Sequence, residues 1–230
     1  MKLIPSEYQE SEALYNWVKS AKASCVTVLS PKGGEGNSTL AMSLANKFAV
    51  AGYRVLYVDL QGDQSLSNSL NPEMVWRFSD ISCQLNTQML GSLNVLSILH
   101  YDGASLKDSD VIEQAFLRLK QEFQLIVIDS TAVLRNNKGN LPLHSLANAS
   151  ELTLLNVAVG YNTDEEVVTA LTKIEQAGLK NLHVTLNYQY MPALGPEINA
   201  FLQTKLVRYQ GLKRKLVDFI AKQNWLKTPF

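Results

Sequence analysis

The sequence predicts an α/β fold: a three-layer sandwich on a mostly parallel central sheet. Two patterns carry that expectation. Short apolar runs rich in β-branched residues alternate with longer stretches of helical period; the runs are Cys25–Leu29, Val55–Val58, Val95–Leu99, Leu125–Ile128, Leu152–Val159 and Leu182–Leu186. Runs such as L-I-V-I and V-L-Y-V are apolar at every position, as strands covered on both faces must be. A third, coarser observation agrees: 230 residues, 46% hydrophobic and 18% charged, suffice for one large core.

Taken in order, the chain opens with a helical arm expected over Ser6–Lys22. The helix after the first strand, Ser38–Ala51, sets Leu40, Leu44, Phe48 and Ala51 on one face and stops at Gly52, a residue suited to a helix C-terminus. Val111–Glu122 and Asp164–Ala177 repeat the pattern, the second closing on Gly178. From Glu197 to Lys227 an irregular apolar stripe (Leu202, Leu206, Leu212, Leu216, Phe219, Ile220) is flanked by Lys205, Arg208, Lys213, Arg214, Lys215, Lys222 and Lys227. This C-terminal helical extension is expected to pack on the domain, to lie on a membrane surface or to dock a partner. Trp225 and Phe230 suit an interface or a core equally. With no repeat and no long linker, the expected organisation is one domain: arm 1–22, core 23–190, extension 191–230.

Charge and cysteine usage narrow the function. Lys plus Arg and Asp plus Glu are both 21, so the overall balance carries no nucleic-acid signal. Cys25 and Cys83 lack metal-ligand spacing and are expected to be buried, reduced thiols of a cytoplasmic protein. His100, His144 and His183 stand apart from other metal-ligating residues. The N-terminus turns polar within a few residues, and no apolar run approaches the roughly 18–20 needed to span a bilayer. A membrane role would therefore be peripheral, at the inner face.

The chemistry is expected at the carboxyl ends of the strands, where open parallel sheets bind ligands. After the first strand comes S-P-K-G-G-E-G-N-S-T. Gly33, Gly34 and Gly36 let backbone N–H groups converge on an anion, and the helix beginning near Ser38 adds its positive end. The second strand is followed by Asp59, Gln61 and Asp63, and Leu125–Ile128 by Asp129, Ser130 and Thr131. Two strands ending in Asp beside a phosphate-type loop also suit a Mg²⁺ ion held by Ser38, Asp59 and Asp129.

These segments, K-G-G-E-G-N-S-T, R-V-L-Y-V-D-L-Q-G-D and F-Q-L-I-V-I-D-S-T, resemble those of the deviant-Walker P-loop ATPases of the ParA/MinD family. Within it the chain is most similar to the bacterial tyrosine kinases that partner polysaccharide export, through E-A-L-Y at Glu12–Tyr15, S-P…G-E-G-N-S-T, and I-D-S-T-A-V at Ile128–Val133. L-T-L-L-N-V-A-V-G-Y-N-T is similar to their strand and loop near the nucleotide base. The resemblance covers roughly residues 6–190. It implies ATP or ADP with Mg²⁺ on Lys32, Gly33, Gly34, Glu35, Gly36, Asn37, Ser38 and Thr39. Lys32, Asp59 and Asp129 are the implied catalytic candidates.

Three departures shape the expected activity. Asn37 stands where the family has its phosphate-binding lysine, Gln61 where it has a second acid, and D-S-T-A where it has D-T-P-P. Lys32 fits the extra ParA/MinD lysine that reaches across a dimer. The nine tyrosines are scattered, none after Tyr209, whereas the kinases carry a tyrosine-rich tail. The resulting expectation is a degenerate relative with weak or no ATP hydrolysis, a pseudo-ATPase or pseudokinase. It would serve as a regulatory or scaffolding partner in exopolysaccharide or cell-envelope assembly, engaging a membrane polysaccharide co-polymerase. The alternatives are an active positioning ATPase using Lys32 across a homodimer, a ligand-free interaction module, and a weak tyrosine autokinase.

Overall fold

The apolar runs pair as strands of a single sheet. The computed structural model describes residues 9–61, 88–90, 92–97, 109–135, 142–190, 194–205 and 210–222. The strands are β1 (Cys25–Leu29), β2 (Val55–Asp59), β3 (Gln88–Leu90), β4 (Leu93–Ser97), β5 (Leu125–Asp129), β6 (Leu152–Ala158) and β7 (Leu182–Asn187). Their order is β3-β4-β2-β5-β1-β6-β7, with β3 antiparallel to β4 and the other six parallel. The helices are α1 (Gln9–Ser20), α2 (Asn37–Val50), α3 (Ser109–Glu122), α4 (Leu143–Ala147), α5 (Asp164–Gln176), α6 (Leu194–Lys205) and α7 (Gln210–Lys222). This is the α/β sandwich on a mostly parallel sheet that the sequence predicts, and the N-terminal arm and C-terminal extension are both helical.

Side chains alternate across the strands, so each face of the sheet seals a separate core. On one face Leu29, Leu56, Val58, Ile126 and Ile128 pack against Ile112, Phe116 and Leu119 of α3 and Ala170 and Ile174 of α5. On the other, Val26, Val28, Val55, Tyr57 and Val127 meet Ala41, Leu44, Ala45 and Phe48 of α2, with Tyr15 and Val18 of α1 outside them. Each fully buried aliphatic or aromatic side chain contributes about 1.5–3 kcal/mol, so these two clusters are the main source of stability. Cys25 lies at 0% exposure in β1, where burial pushes its thiol up to about 12. Of the α2 face expected from the sequence, Leu44 and Phe48 are buried, Leu40 is half-buried and Ala51 is exposed. The helix ends one residue before Ala51, and Gly52 takes φ 89°.

The chain forms two compact units. The first holds residues 1–157 and 164–185, and the two cores above lie within it. The second holds residues 158–163 and 186–230. In it the expected helical extension is two helices, α6 and α7, joined by a small cluster of Leu202 and Ile220 with Ile198, Leu216 and Val217. Ser6, Asp63, Cys83, His100, Leu206, Arg208, Tyr209, Trp225, Lys227 and Phe230 lie outside the described residues.

Strand register positions the site. Asp59 is paired with Asp129 across β2 and β5, and Val28 with Asp129 across β1 and β5. The two strand-terminal acids therefore stand side by side at the sheet edge from which the glycine loop departs.

Candidate functional site

The loop between β1 and α2 is shaped by three glycines in the left-handed region: Gly33 at φ 92°, Gly34 at φ 96° and Gly36 at φ 80°. A side chain at any of them would be strained by about 1–2 kcal/mol, which accounts for the residue type. Gly36 is also the N-cap of α2 and offers no side-chain cap, so the helix begins with its positive end toward the loop. Several contacts hold this backbone in place. Lys32 N–H donates to Glu35 Oε1 at 2.8 Å, and the Glu35 carbonyl accepts from Asn156 Nδ2 at 2.8 Å. Val133 and Leu134 N–H donate to the carbonyls of Ser30 and Pro31, each at 2.8 Å.

Beneath the loop lies a buried polar cluster. Asn37, the first residue of α2, is 5% exposed and turns its amide back toward the sheet. Its Nδ2 donates toward Asp129 Oδ1 at 2.7 Å, the Val28 carbonyl at 3.1 Å and the Ser130 carbonyl at 3.2 Å. Two N–H bonds thus serve three acceptors. The three acceptors also fix the amide's orientation, leaving Asn37 Oδ1 buried without a hydrogen-bond partner. Asp129 Oδ1 also accepts from Gln61 Nε2 at 2.8 Å, and its Oδ2 accepts from the Tyr57 hydroxyl at 2.8 Å. Asp59 accepts from Gln61 N–H and from the Ser97 hydroxyl, both at 2.9 Å. Gln61 Nε2 also stands 3.3 Å from Ser38 Oγ.

Burial raises the Asp129 pKa to about 6, and the neighbouring Asp59 charge pushes in the same direction. Hydrogen bonds from Ser38, Tyr57 and Gln61 oppose the rise. Desolvation is the larger effect because the carboxyl is fully buried and the donors to it are neutral.

Lys32 faces away from this cluster's amides and toward α5, its Nζ lying 2.9 Å and 3.0 Å from the two carboxylate oxygens of Glu166. The structure therefore gathers Asn37, Ser38, Asp59, Gln61 and Asp129 within hydrogen-bonding reach, and ties Lys32 to a helix across the loop. Thr39 is half-buried in the first turn of α2. His183 stacks on Trp17 at 4.6 Å between ring centres.

Sequence reasoning missed Tyr57, Ser97, Asn156 and Glu166. Asn156 was the most accessible of them: a lone amide in the run L-T-L-L-N-V-A, which is buried throughout. Its Oδ1 accepts from Thr185 at 3.2 Å, so β6 and β7 brace the loop through one side chain. Nothing local distinguishes Tyr57 or Ser97, whose roles arise from strand pairing.

A nucleotide-binding domain model, described as CobQ/CobB/MinD/ParA, matches residues 26–183 and so spans the loop, both strand-terminal acids and the strands from β1 to the start of β7. The chain belongs to the CobQ/CobB/MinD/ParA family. Solved structures agree on the fold. The kinase domain of Escherichia coli tyrosine kinase ETK superposes with a TM-score of 0.64 at 18% identity, covering 81% of each chain. The BceF tyrosine kinase domain gives 0.57 at 21% identity, covering 77% of this chain and 74% of that one. The MinD cell division protein of Aquifex aeolicus gives 0.54 at 16% identity, covering 71% and 69%. No curated protein matches the sequence. Identities this low establish a shared ParA/MinD fold and leave activity to the residues.

Proposed function

We propose that this ParA/MinD-family protein is a degenerate, tyrosine-kinase-like relative with weak or no ATP hydrolysis, acting as a regulatory or scaffolding partner in bacterial exopolysaccharide or cell-envelope assembly. One observation carries the reading: the amide of Asn37 is committed to Asp129, Val28 and Ser130 beneath the loop.

The residues present fit a nucleotide phosphate in part. The left-handed glycines and the start of α2 are a cradle for an anion, and a Cβ at Gly33 would intrude on neighbouring atoms at 3.0 Å. Gly33, Gly34, Gly36 and the Ser38–Thr39 turn would hold the phosphates. Ser38, Asp59 and Asp129 would face a Mg²⁺ ion, which when bound supplies charge neutralisation. The acids are less suited. Both Asp129 oxygens already accept hydrogen bonds, and burial raises its pKa to about 6.

Magnitudes separate binding from turnover. A hydrogen bond to a charged group contributes about 1.5–3 kcal/mol against about 0.5–1.5 for a neutral one, so an amide at 37 weakens phosphate binding about ten-fold. Phosphoryl transfer depends almost wholly on positioning and charge stabilisation, so it loses more. Lys32, paired with Glu166, must leave that partner before it serves a second subunit, which weighs against the active positioning ATPase.

The envelope setting is supported by the likeness to tyrosine kinase domains. A peripheral contact is supported by α7, where Phe219 is 60% exposed and Arg214, Lys215 and Lys222 are exposed with it. Among the described residues no helix is long and apolar enough to cross a membrane.

Calorimetric titration of ATP and ADP, with Mg²⁺, into the native protein and an Asn37→Lys variant tests the reading. The expected result is weak native binding, about ten-fold tighter in the variant, with negligible turnover in the native chain. Native turnover matching that of an active ATPase would refute it.

A further inference from the structure

We propose that Arg135 supplies the cation that meets a phosphate group seated on the glycine loop, in place of the side chain at position 37. The inference rests on the reading of the loop as a phosphate site and names the residue that would complete it.

The first observation is position. The Arg135 guanidinium lies against Gly33: a Cβ built there would stand 3.0 Å from Cζ and 3.3 Å from both Nε and Nη2. Gly33 thus does two things at once. It adopts φ 92°, and it leaves the volume that the guanidinium fills beside the loop.

The second is attachment. Arg135 follows β5 and Asp129 on a short segment stitched to the base of the loop. Val133 N–H bonds the Ser30 carbonyl, Leu134 N–H the Pro31 carbonyl, and Arg135 N–H closes a turn on Ala132 at 3.1 Å. Arg135 is therefore carried by the same backbone that fixes the glycines, and the residue is exposed.

The third is charge. Glu35, Asp59 and Asp129 are all buried around the loop, Asn37 is neutral, and Lys32 is paired with Glu166. A polyphosphate seated on the loop would lie over buried carboxylates and gain little from the side chains beneath. A guanidinium stays protonated at every accessible pH, and its planar fork matches two phosphate oxygens. Arg135 brings that group against Gly33 of the loop from the segment after β5, whereas a lysine at 37 would come from the first residue of α2.

The test measures affinity. Native protein, Arg135→Ala, Arg135→Lys, Asn37→Lys and the Asn37→Lys/Arg135→Ala double variant are titrated calorimetrically with ATP, ADP and inorganic pyrophosphate, each with Mg²⁺. Arg135→Ala is expected to weaken every ligand about ten-fold, and Arg135→Lys less, since lysine keeps the charge and loses the fork. The thermal midpoint of each variant is measured without ligand, so that a loss of affinity is read only where the chain remains folded at the titration temperature. Equal affinity of Arg135→Ala and native protein overturns the proposal while leaving the phosphate-site reading standing. Loss confined to the two nucleotides, with pyrophosphate unaffected, also overturns it, because the contact would then be to base or sugar.

If only the Asn37→Lys chain binds, native nucleotide binding is refuted and the double variant decides. A ten-fold drop there sustains Arg135, and no drop ends the proposal. Absence of binding in every chain overturns both.

Discussion

Asp129 sits at 0% exposure and accepts hydrogen bonds from Asn37, Gln61 and Tyr57, with Asp59 in register beside it. Neutral donors satisfy its lone pairs without a full opposing charge, and the site keeps a carboxylate whose pKa is raised from 3.8 to about 6. The sign of the consequence is definite. The folded chain holds this proton more tightly than the unfolded chain, so the group's stabilisation is fullest below about 3.8 and is lost as pH rises through about 6. Between pH 5 and 8 the native protein should lose roughly 1 to 2 kcal/mol from this group alone. Urea denaturation at the two pH values should show that loss in the native chain and not in Asp129→Asn. A parallel pH dependence in both would place the titration elsewhere. Position 37 was visible in the sequence as an unusual residue, but not where its amide points. That direction depends on the Val28 and Ser130 carbonyls and Asp129, contributed by two strands separated by about a hundred positions in the chain.

At the scale of elements, the loop is braced from several sides. β6 and β7 act through Asn156 and Thr185, the segment after β5 through Val133 and Leu134, and α5 through Glu166. Glu166 lies in the first turn of α5 with Asp164 and Glu165, so the helix dipole already favours its charge and the pairing with Lys32 adds to that. Both partners are about 30% exposed, and such a pair contributes at most about 1 kcal/mol to stability. Its larger effect is on where the Lys32 charge resides. Glu166→Gln should therefore leave the thermal midpoint nearly unchanged and tighten MgATP binding several-fold, read by the same calorimetry; unchanged affinity would mean that Lys32 stays out of reach of the ligand.

β1, β2, β5 and β6 were legible to within about one residue because a strand buried at every position has a distinctive apolar run. β3 and α4, three and five residues long, are too short to show a period, and the expected Ala51 contact failed because the helix ends before it.

For the whole molecule, the distribution of buried apolar surface sets the expected order of opening. The first unit holds two extensive cores on a sheet whose strands β1, β2 and β5 are buried at every position, whereas α6 and α7 share a cluster with two buried residues, Leu202 and Ile220. We propose that the chain is nonetheless one domain over 1–230, with 23–190 as its core. Calorimetry should then show a single unfolding transition, while hydrogen exchange should release α6 and α7 amides well before those of β1 and β5. Two separate calorimetric transitions would divide the chain instead.

The sequence by itself determined the alternation of strands and helices, the glycine loop at the carboxyl end of the first strand, the two strand-terminal acids and the substitution at 37. Those features are local: periodicity, φ preference and residue type are set within a few positions of the chain. Only the tertiary structure decided that Asn37 serves Asp129, that Tyr57 and Gln61 share the same carboxylate, that Lys32 is paired with Glu166, and that Arg135 rests against Gly33. Each of these is a meeting of residues distant in sequence, and strand order, register and desolvation arise only when the sheet is assembled.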